Sequence, residues 1–144
     1  MAAPRSGTAK WNGDLKGGSG DLQVGDGVFQ GAYTFQSRFE EGQGTNPEEL
    51  IAAAHAACYS MELSNILAEH GHEPRSVQTS AKVELRIVDG APTITKIALT
   101  TEGDVPGLDE DHFHEHAEEA RASCLVSRAL AGAGEITLEA KLNA

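Results

Sequence analysis

The stretch from Thr45 to Gly71, TNPEELIAAAHAACYSMELSNILAEHG, constrains what this chain can fold into more than any other. Asn46 is a strong N-cap residue, Pro47 falls at the first helical position where its missing N–H is no loss, and Glu49 stands three past the cap to close a capping box. Gly71 suits the C′ position that ends a helix. Residues 48–70 hold no Gly or Pro, so the predicted helix runs about 36 Å, as long as a small domain is wide. From Leu50 to Cys58 the only polar residue is His55, and a helix that is apolar on nearly every side has to be enclosed. Cys58 lies in that enclosed half, so the rest of the chain must be built around it.

On the N-terminal side, a loose tail leads into a strand around Ala9 to Trp11. Glycines from Gly13 to Gly27 then punctuate the short segments Leu22 to Val24 and Val28 to Phe29. This reads as a glycine-rich β-meander rather than a phosphate loop, because no GxGxxG opens a helix and no GK[ST] is present. Tyr33 to Phe39 alternates and is predicted as a strand ending beside Arg38. Beyond Gly71 the period becomes two: Val77, Thr79, Ala81, Val83, Leu85 and Ile87 share one face of a half-buried strand. Asp89-Gly90 turns the chain back into a second strand, about Thr93 to Thr101, in which Ile94 is out of phase with Ile97 and Leu99, so a bulge or twist is expected. Pro106-Gly107 ends it, and a second helix starts near Asp109.

Phe113, Ala117, Ala120 and Cys124 follow at helical spacing, which places the second cysteine at the end of a buried stripe. A short helical turn through Ala129 and Leu130 precedes Gly132 and Gly134. Ile136, Leu138, Ala140 and Leu142 alternate as a closing strand. The expected architecture is α+β, with the long central helix and the second helix on one face of a mainly antiparallel sheet.

At 144 residues with 40% hydrophobic content, residues 1–144 read as one domain that buries about 68% of its unfolded surface. The net charge of −11 repels phosphate backbones and anionic lipid and argues against nucleic acid as a partner. No apolar run is long enough to span a bilayer. MAAPRSGTAK carries no apolar signal-peptide core, so no membrane partner and a cytoplasmic setting are expected. There a cysteine pair is more often catalytic, redox-active or metal-binding than a structural disulfide.

Residues alone leave two readings of Cys58 and Cys124: small buried hydrophobes, or a reactive pair. Zinc is the weaker idea, since CxxC and HExxH are both absent from the sequence. His55, one turn before Cys58, reads as a packing or hydrogen-bonded histidine rather than a base. Of His112, His114 and His116 only the first and last share a helix face, which suits a solvated surface better than a metal site.

Arg38, the block TNPEELIAAAHAACYS, and CLVS at a helix end together resemble the OsmC/Ohr family of thiol peroxidases, its OsmC branch in particular. The likeness extends to KWNGDLKGGSG, PTITKIALTTEGDVPGLD and EITLEAKL, and so to nearly the whole chain. It implies a peroxidatic nucleophile at Cys58, a resolving cysteine at Cys124 that closes a Cys58–Cys124 disulfide, and assistance from Arg38 and Glu48. It also implies an intertwined homodimer with active sites at the subunit interface, organic hydroperoxides as substrates with hydrogen peroxide beside them, and no metal or prosthetic cofactor. An external dithiol, a lipoyl-type one among the candidates, would restore the thiols. Leu125 departs from the pattern, because many members carry a proline directly after the second cysteine. The alternative of another class is a non-enzymatic small-molecule-binding or structural dimer of the same fold.

Only a thiolate attacks a peroxide O–O bond, burial raises a thiol's pKa, and Cys58 lies about three turns past the helix start, too deep for the dipole to help. A cation has to compensate, and Arg38 cannot lose its charge. Glu48, left over once Glu49 serves the capping box, can hold the guanidinium; its plainer reading is an acidic residue in a helix's first turn. Glu48 and Cys58 are ten residues apart on one helix, about 15 Å along its axis. One Arg38 can hardly serve both, so the Glu48 that orients Arg38 is expected from a partner's antiparallel helix.

Overall fold

The structure is a computed structural model describing residues 3–143. The chain divides into two compact units, Met1–Leu50 and Ile51–Ala144. The first holds the antiparallel meander β1 (Gly7–Asn12), β2 (Ser19–Val24) and β3 (Phe29–Tyr33) in that order, as its glycine spacing implies. Its register sets Trp11 opposite Gly20 and Gly20 opposite Tyr33. The two rings meet over the glycine with centroids 5.3 Å apart. A Cβ at Gly20 would stand 2.6 Å from Tyr33 and 2.7 Å from Trp11, so only glycine leaves room for that aromatic pair.

The strand expected over Tyr33 to Phe39 is not formed. β3 stops at Tyr33 and α1 (Phe35–Phe39) begins, because Thr34 and Ser37 make a capping box. Thr34 Oγ1 accepts from the Ser37 N–H, and Ser37 Oγ accepts from the Thr34 N–H. Two satisfied donors at a helix start outweigh an alternating pattern of only a few residues. In the helical turn Phe35 and Phe39 share a face, their rings 5.1 Å apart.

The long helix α2 (Pro47–Glu69) opens at the expected N-cap, with Asn46 Oδ1 accepting from the Glu49 N–H at 2.8 Å, but the return bond of the expected capping box is replaced, because Glu49 Oε1 accepts from Thr45 Oγ1 at 2.9 Å. It closes in a Schellman motif: Gly71 has φ +82°, its N–H donates to Ala68 O, and the His72 N–H donates to Leu67 O.

From Ile51 onward, α2 joins β4 (Ser76–Val88), β5 (Ala91–Asp104), α3 (Glu110–Ser123), α4 (Leu125–Ala129) and β6 (Glu135–Asn143). β4 and β5 form the long hairpin, turned by Asp89 and Gly90 at positive φ, and the expected irregularity is a register shift at Glu84/Leu85 that leaves Thr95 as the extra residue. Two points of the expected architecture are corrected. The strands form two three-stranded sheets, β1-β2-β3 and β4-β5-β6, rather than one, and β6 pairs with β5 in parallel. The α3–α4 segment is a crossover connection long enough to return the chain to the same end of the sheet, which a parallel pair requires.

Both α2 and α3 do pack on this second sheet. Tyr59, Leu63, Ile66 and Leu67 of α2 meet Leu99, Phe113, Ala117 and Cys124 in one buried cluster. Each of the large side chains contributes about 1.5–3 kcal/mol by leaving water. Tyr59 is fully buried and its hydroxyl donates to Ala117 O at 2.8 Å, so its one polar atom is satisfied and ties the two helices together. No helix among the described residues is long and apolar enough to cross a membrane.

Candidate active site

Cys58 sits mid-way along α2, half-buried, and Cys124 is fully buried where α3 ends and α4 begins. The stripe Phe113, Ala117, Ala120 and Cys124 is fully buried, as its spacing predicts. The two sulfurs lie 3.0 Å apart, with the Cys124 thiol hydrogen-bonded to Cys58. Both are free thiols, and side chains so close can form a disulfide with only a small further approach. Burial and the neighbouring Cys124 push the Cys58 thiol above its usual range, and the backbone N–H groups of Val126 and Leu125 offset only part of that rise.

Two further bonds flank the sulfurs. One turn before Cys58, His55 is fully buried with Nε2 2.7 Å from Ser127 Oγ on α4, which makes it the hydrogen-bonded helix histidine that was expected. Burial lowers its pKa and keeps the ring neutral. One turn after Cys58, Glu62 accepts from the Ser123 hydroxyl at 2.6 Å.

Arg38 and Glu48 form the second pair, in the unit Met1–Leu50. Arg38 Nε lies 3.1 and 3.2 Å from the two carboxylate oxygens of Glu48, and Nη2 lies 2.7 Å from Oε1, a forked charge-assisted contact. The Glu48 side chain is 11% exposed and that of Arg38 39%, so the carboxylate is anchored and the guanidinium keeps a free face. This corrects the expectation that a partner's Glu48 holds Arg38, because the pair forms within one chain. Local bonds set it up. Ser37 Oγ donates to Thr45 O at 2.7 Å, and Asn46 Nδ2 donates to Ser37 O at 2.9 Å, which ties α1 to the first turn of α2. Glu48 is thus both a first-turn acid and the holder of the guanidinium.

Sequence reasoning missed the surroundings of Arg38. Trp11, Leu15, Tyr33, Phe35 and Phe39 line a pocket of about 210 Å³ with Arg38 in its wall, and the guanidinium lies 5.2 Å over the Phe39 ring. The chain has only one Trp, two Tyr and four Phe, so the gathering of five of these seven between residues 11 and 39, four of them in the pocket wall, was the available signal. Of the three histidines, His112 and His114 are exposed as expected, whereas His116 is half-buried with its ring 4.4 Å from that of His70.

The sequence model of the OsmC-like protein family matches residues 40–139. The chain is 48% identical over 143 residues to the peroxiredoxin OsmC of Escherichia coli, covering 99% of each. It is 32% identical over 126 residues to the organic hydroperoxide resistance protein OhrB of Bacillus subtilis, covering 87% of this chain and 91% of that one. The crystal structure of an organic hydroperoxide resistance protein OsmC from Legionella pneumophila superposes with a TM-score of 0.77 at 22% identity, over 97% of this chain and 99% of the other.

Proposed function

The chain belongs to the OsmC-like protein family, and on that premise we propose that it is a cysteine-based peroxidase, an oxidoreductase that reduces organic hydroperoxides. The observation that carries this reading is the pair of free thiols 3.0 Å apart on two different helices. The Cys58 thiolate attacks the distal peroxide oxygen; the O–O bond breaks, the alkoxide leaves and takes a proton as alcohol, and Cys58 becomes a sulfenic acid. The Cys124 sulfur then attacks the sulfenic sulfur, water leaves, and a Cys58–Cys124 disulfide remains. An external dithiol reduces it by exchange.

Burial and the adjoining Cys124 both raise the Cys58 thiol, so the cycle needs a permanent cation, and Arg38 is that cation. Its free face stabilises the thiolate and donates to the departing alkoxide, while Glu48 holds the other edge. The aromatic pocket beside Arg38 takes the organic tail of the substrate. The working unit is a homodimer in which the Arg38–Glu48 pair of one chain completes the cysteine pair of the other. Two arguments support this: the ten-residue spacing on one uninterrupted helix, about 15 Å, and the apolar exposed residues of α2, with Ala53, Ala57 and Met61 open and Met61 75% exposed.

Peroxide consumption with a dithiol, wild type against Cys58→Ser, tests the chemistry. A loss on the order of a thousandfold or more is expected, and equal consumption by the variant would sink it. Mixing Cys58→Ser chains with Glu48→Ala chains tests the sharing: activity recovers if one chain lends its intact Arg38–Glu48 pair to the other's Cys58, and a fully active monomer refutes it.

A further inference from the structure

The helix α4 that follows Cys124 is five residues long, and its N-cap, Cys124 itself, makes no side-chain capping bond. So short a helix does not hold its position by itself. Leu125, its first residue, is 65% exposed and supplies no packing. Arg128 Nε reaches back to Ser123 O at 3.3 Å from the exposed side. α4 is held against α2 by Val126, which packs on the core cluster, by the backbone N–H groups of Leu125 and Val126 that face Cys58, and by one buried side-chain bond, between Ser127 Oγ and His55 Nε2 at 2.7 Å. On the other flank of Cys124, Ser123 is bonded to Glu62 of α2 at 2.6 Å. The two bonds fall at residues −3 and +4 from Cys58, and at +3 and −1 from Cys124. They form rungs on either side of the thiol pair.

As a device for stability alone the His55–Ser127 rung is poor. His55 Nδ1 is buried with no hydrogen-bond partner among the described residues, and an orphaned ring nitrogen costs free energy that a well-packed apolar residue would not. The rung makes sense as geometry, because a resolving sulfur held 3.0 Å from its target need not search for it.

We propose that His55 is a positioning residue for the resolution step, acting through Ser127 to hold the α3–α4 junction so that Cys124 stands ready to attack oxidised Cys58. The inference rests on the peroxidase reading above. In the step it governs, the Cys124 sulfur forms the S–S bond as the S–O bond of the Cys58 sulfenic acid breaks. Cys124 is oxidised from thiol to disulfide, the sulfenic sulfur is reduced to the same level, and the departing hydroxide takes the proton Cys124 gives up and leaves as water. His55 takes no proton from either sulfur; its Nε2 is engaged with Ser127.

The test separates the two half-reactions. Wild type, Ser127→Ala, Ser127→Thr and His55→Gln are mixed with one equivalent of tert-butyl hydroperoxide and quenched at intervals; dimedone trapping counts sulfenic acid, and mass spectrometry counts the intramolecular disulfide. Ser127→Ala should form sulfenic acid at the wild-type rate but close the disulfide about tenfold more slowly, since small misplacements of reacting groups carry penalties of this size or larger. A build-up of sulfinic acid on Cys58 should accompany the delay, and Ser127→Thr, which keeps the hydroxyl, should restore closure. Closure at the wild-type rate in both Ser127→Ala and His55→Gln overturns the proposal. So does an equal slowing of both steps with a lowered Tm, which is what a merely structural bond would give. If wild type itself forms no sulfenic acid, the peroxidase reading fails, an outcome distinct from either of these.

Discussion

The cysteine pair and the arginine–glutamate pair are positioned in opposite ways. Cys58 and Cys124 are separated by 66 residues and meet because α2 and α3 both bury apolar stripes in one cluster on the sheet β4-β5-β6. Arg38 and Glu48 are ten residues apart and meet because caps and turns across residues 34–49 leave the chain no other route. The difference teaches where each half of the chemistry is vulnerable. Placement by a core is spread over many contacts and fails when volume is removed from that core. Placement by local bonds rests on a few hydroxyls and amides and fails when one of them goes.

The largest effect should come from the core. Phe113 is fully buried, and its ring occupies the space above Gly103, where a Cβ would come within 2.5 Å of it. Phe113→Ala should cost about 3–5 kcal/mol and abolish closure of the disulfide. Trp11, the single tryptophan, reports on the other unit, so its fluorescence transition in urea should move less than the helix signal in circular dichroism. A common shift of both would break the comparison.

Next comes the cation. Arg38→Met should slow peroxide consumption on the order of a hundredfold at neutral pH, the usual loss for a preorganised charge donor. The pH dependence gives its sign. Burial raises the Cys58 thiol, so the thiolate fraction, and with it the rate, grows as pH rises; without Arg38 the rising limb should move further alkaline and part of the activity should return there. A pH–rate profile identical to wild type would show that Arg38 does not touch the thiolate.

Ser37→Ala is the local counterpart of Phe113→Ala. It removes a buried hydroxyl that joins Thr34 to Thr45 and should cost about 1–2 kcal/mol, the range for losing a helix cap. The expected signature is impaired peroxide attack with the disulfide still closing at the normal rate once sulfenic acid is present. Slowed closure would instead mean that the two regions share their support.

The smallest effect belongs to Leu125→Pro. Leu125 is exposed at the first position of α4, and Cys124 before it has φ −53° and ψ 125°, the extended geometry a following proline favours. The gain of about 0.4–1 kcal/mol that a compatible proline brings is offset by loss of the Leu125 N–H, one of two backbone donors that lower the Cys58 thiol, so Tm should stay nearly unchanged while the rising limb of the pH–rate profile moves slightly alkaline.

What could be read from the residues, and what could not, follows the same division. α2 was legible because Asn46, Pro47, Glu49 and Gly71 each make a boundary from their own chemistry. The burial of Cys124 was legible because four residues at helical spacing define a face. The helical turn at Phe35–Phe39 was not, because Tyr33, Phe35 and Ser37 satisfy a strand's period while its real determinant is one reciprocal pair, Thr34 and Ser37. The parallel direction of β6 was hidden for another reason: alternation reports that a strand has a buried face and says nothing of which way its neighbour runs. The in-chain partner of Arg38 is hidden from the sequence because the ten residues from Glu48 to Cys58 limit only reach to the thiol, whereas the turn between α1 and α2 lets Arg38 meet Glu48 directly.

That parallel pairing also bears on the order in which the molecule assembles. The meander joins neighbours in the chain, and its ladders can zip outward from tight turns, whereas β5 and β6 must bring Ile97 to Ile136 across the entire α3–α4 crossover. Closing so long a loop is entropically costly before any contact rewards it, and non-local pairings of this kind form late. Cys124 rides on that crossover, so until β6 docks the segment that carries it lacks the support of the closed sheet. A half-folded chain meeting peroxide is therefore expected to have an oxidisable Cys58 with its resolving sulfur less firmly placed, which slower disulfide closure during refolding than in the native protein would check.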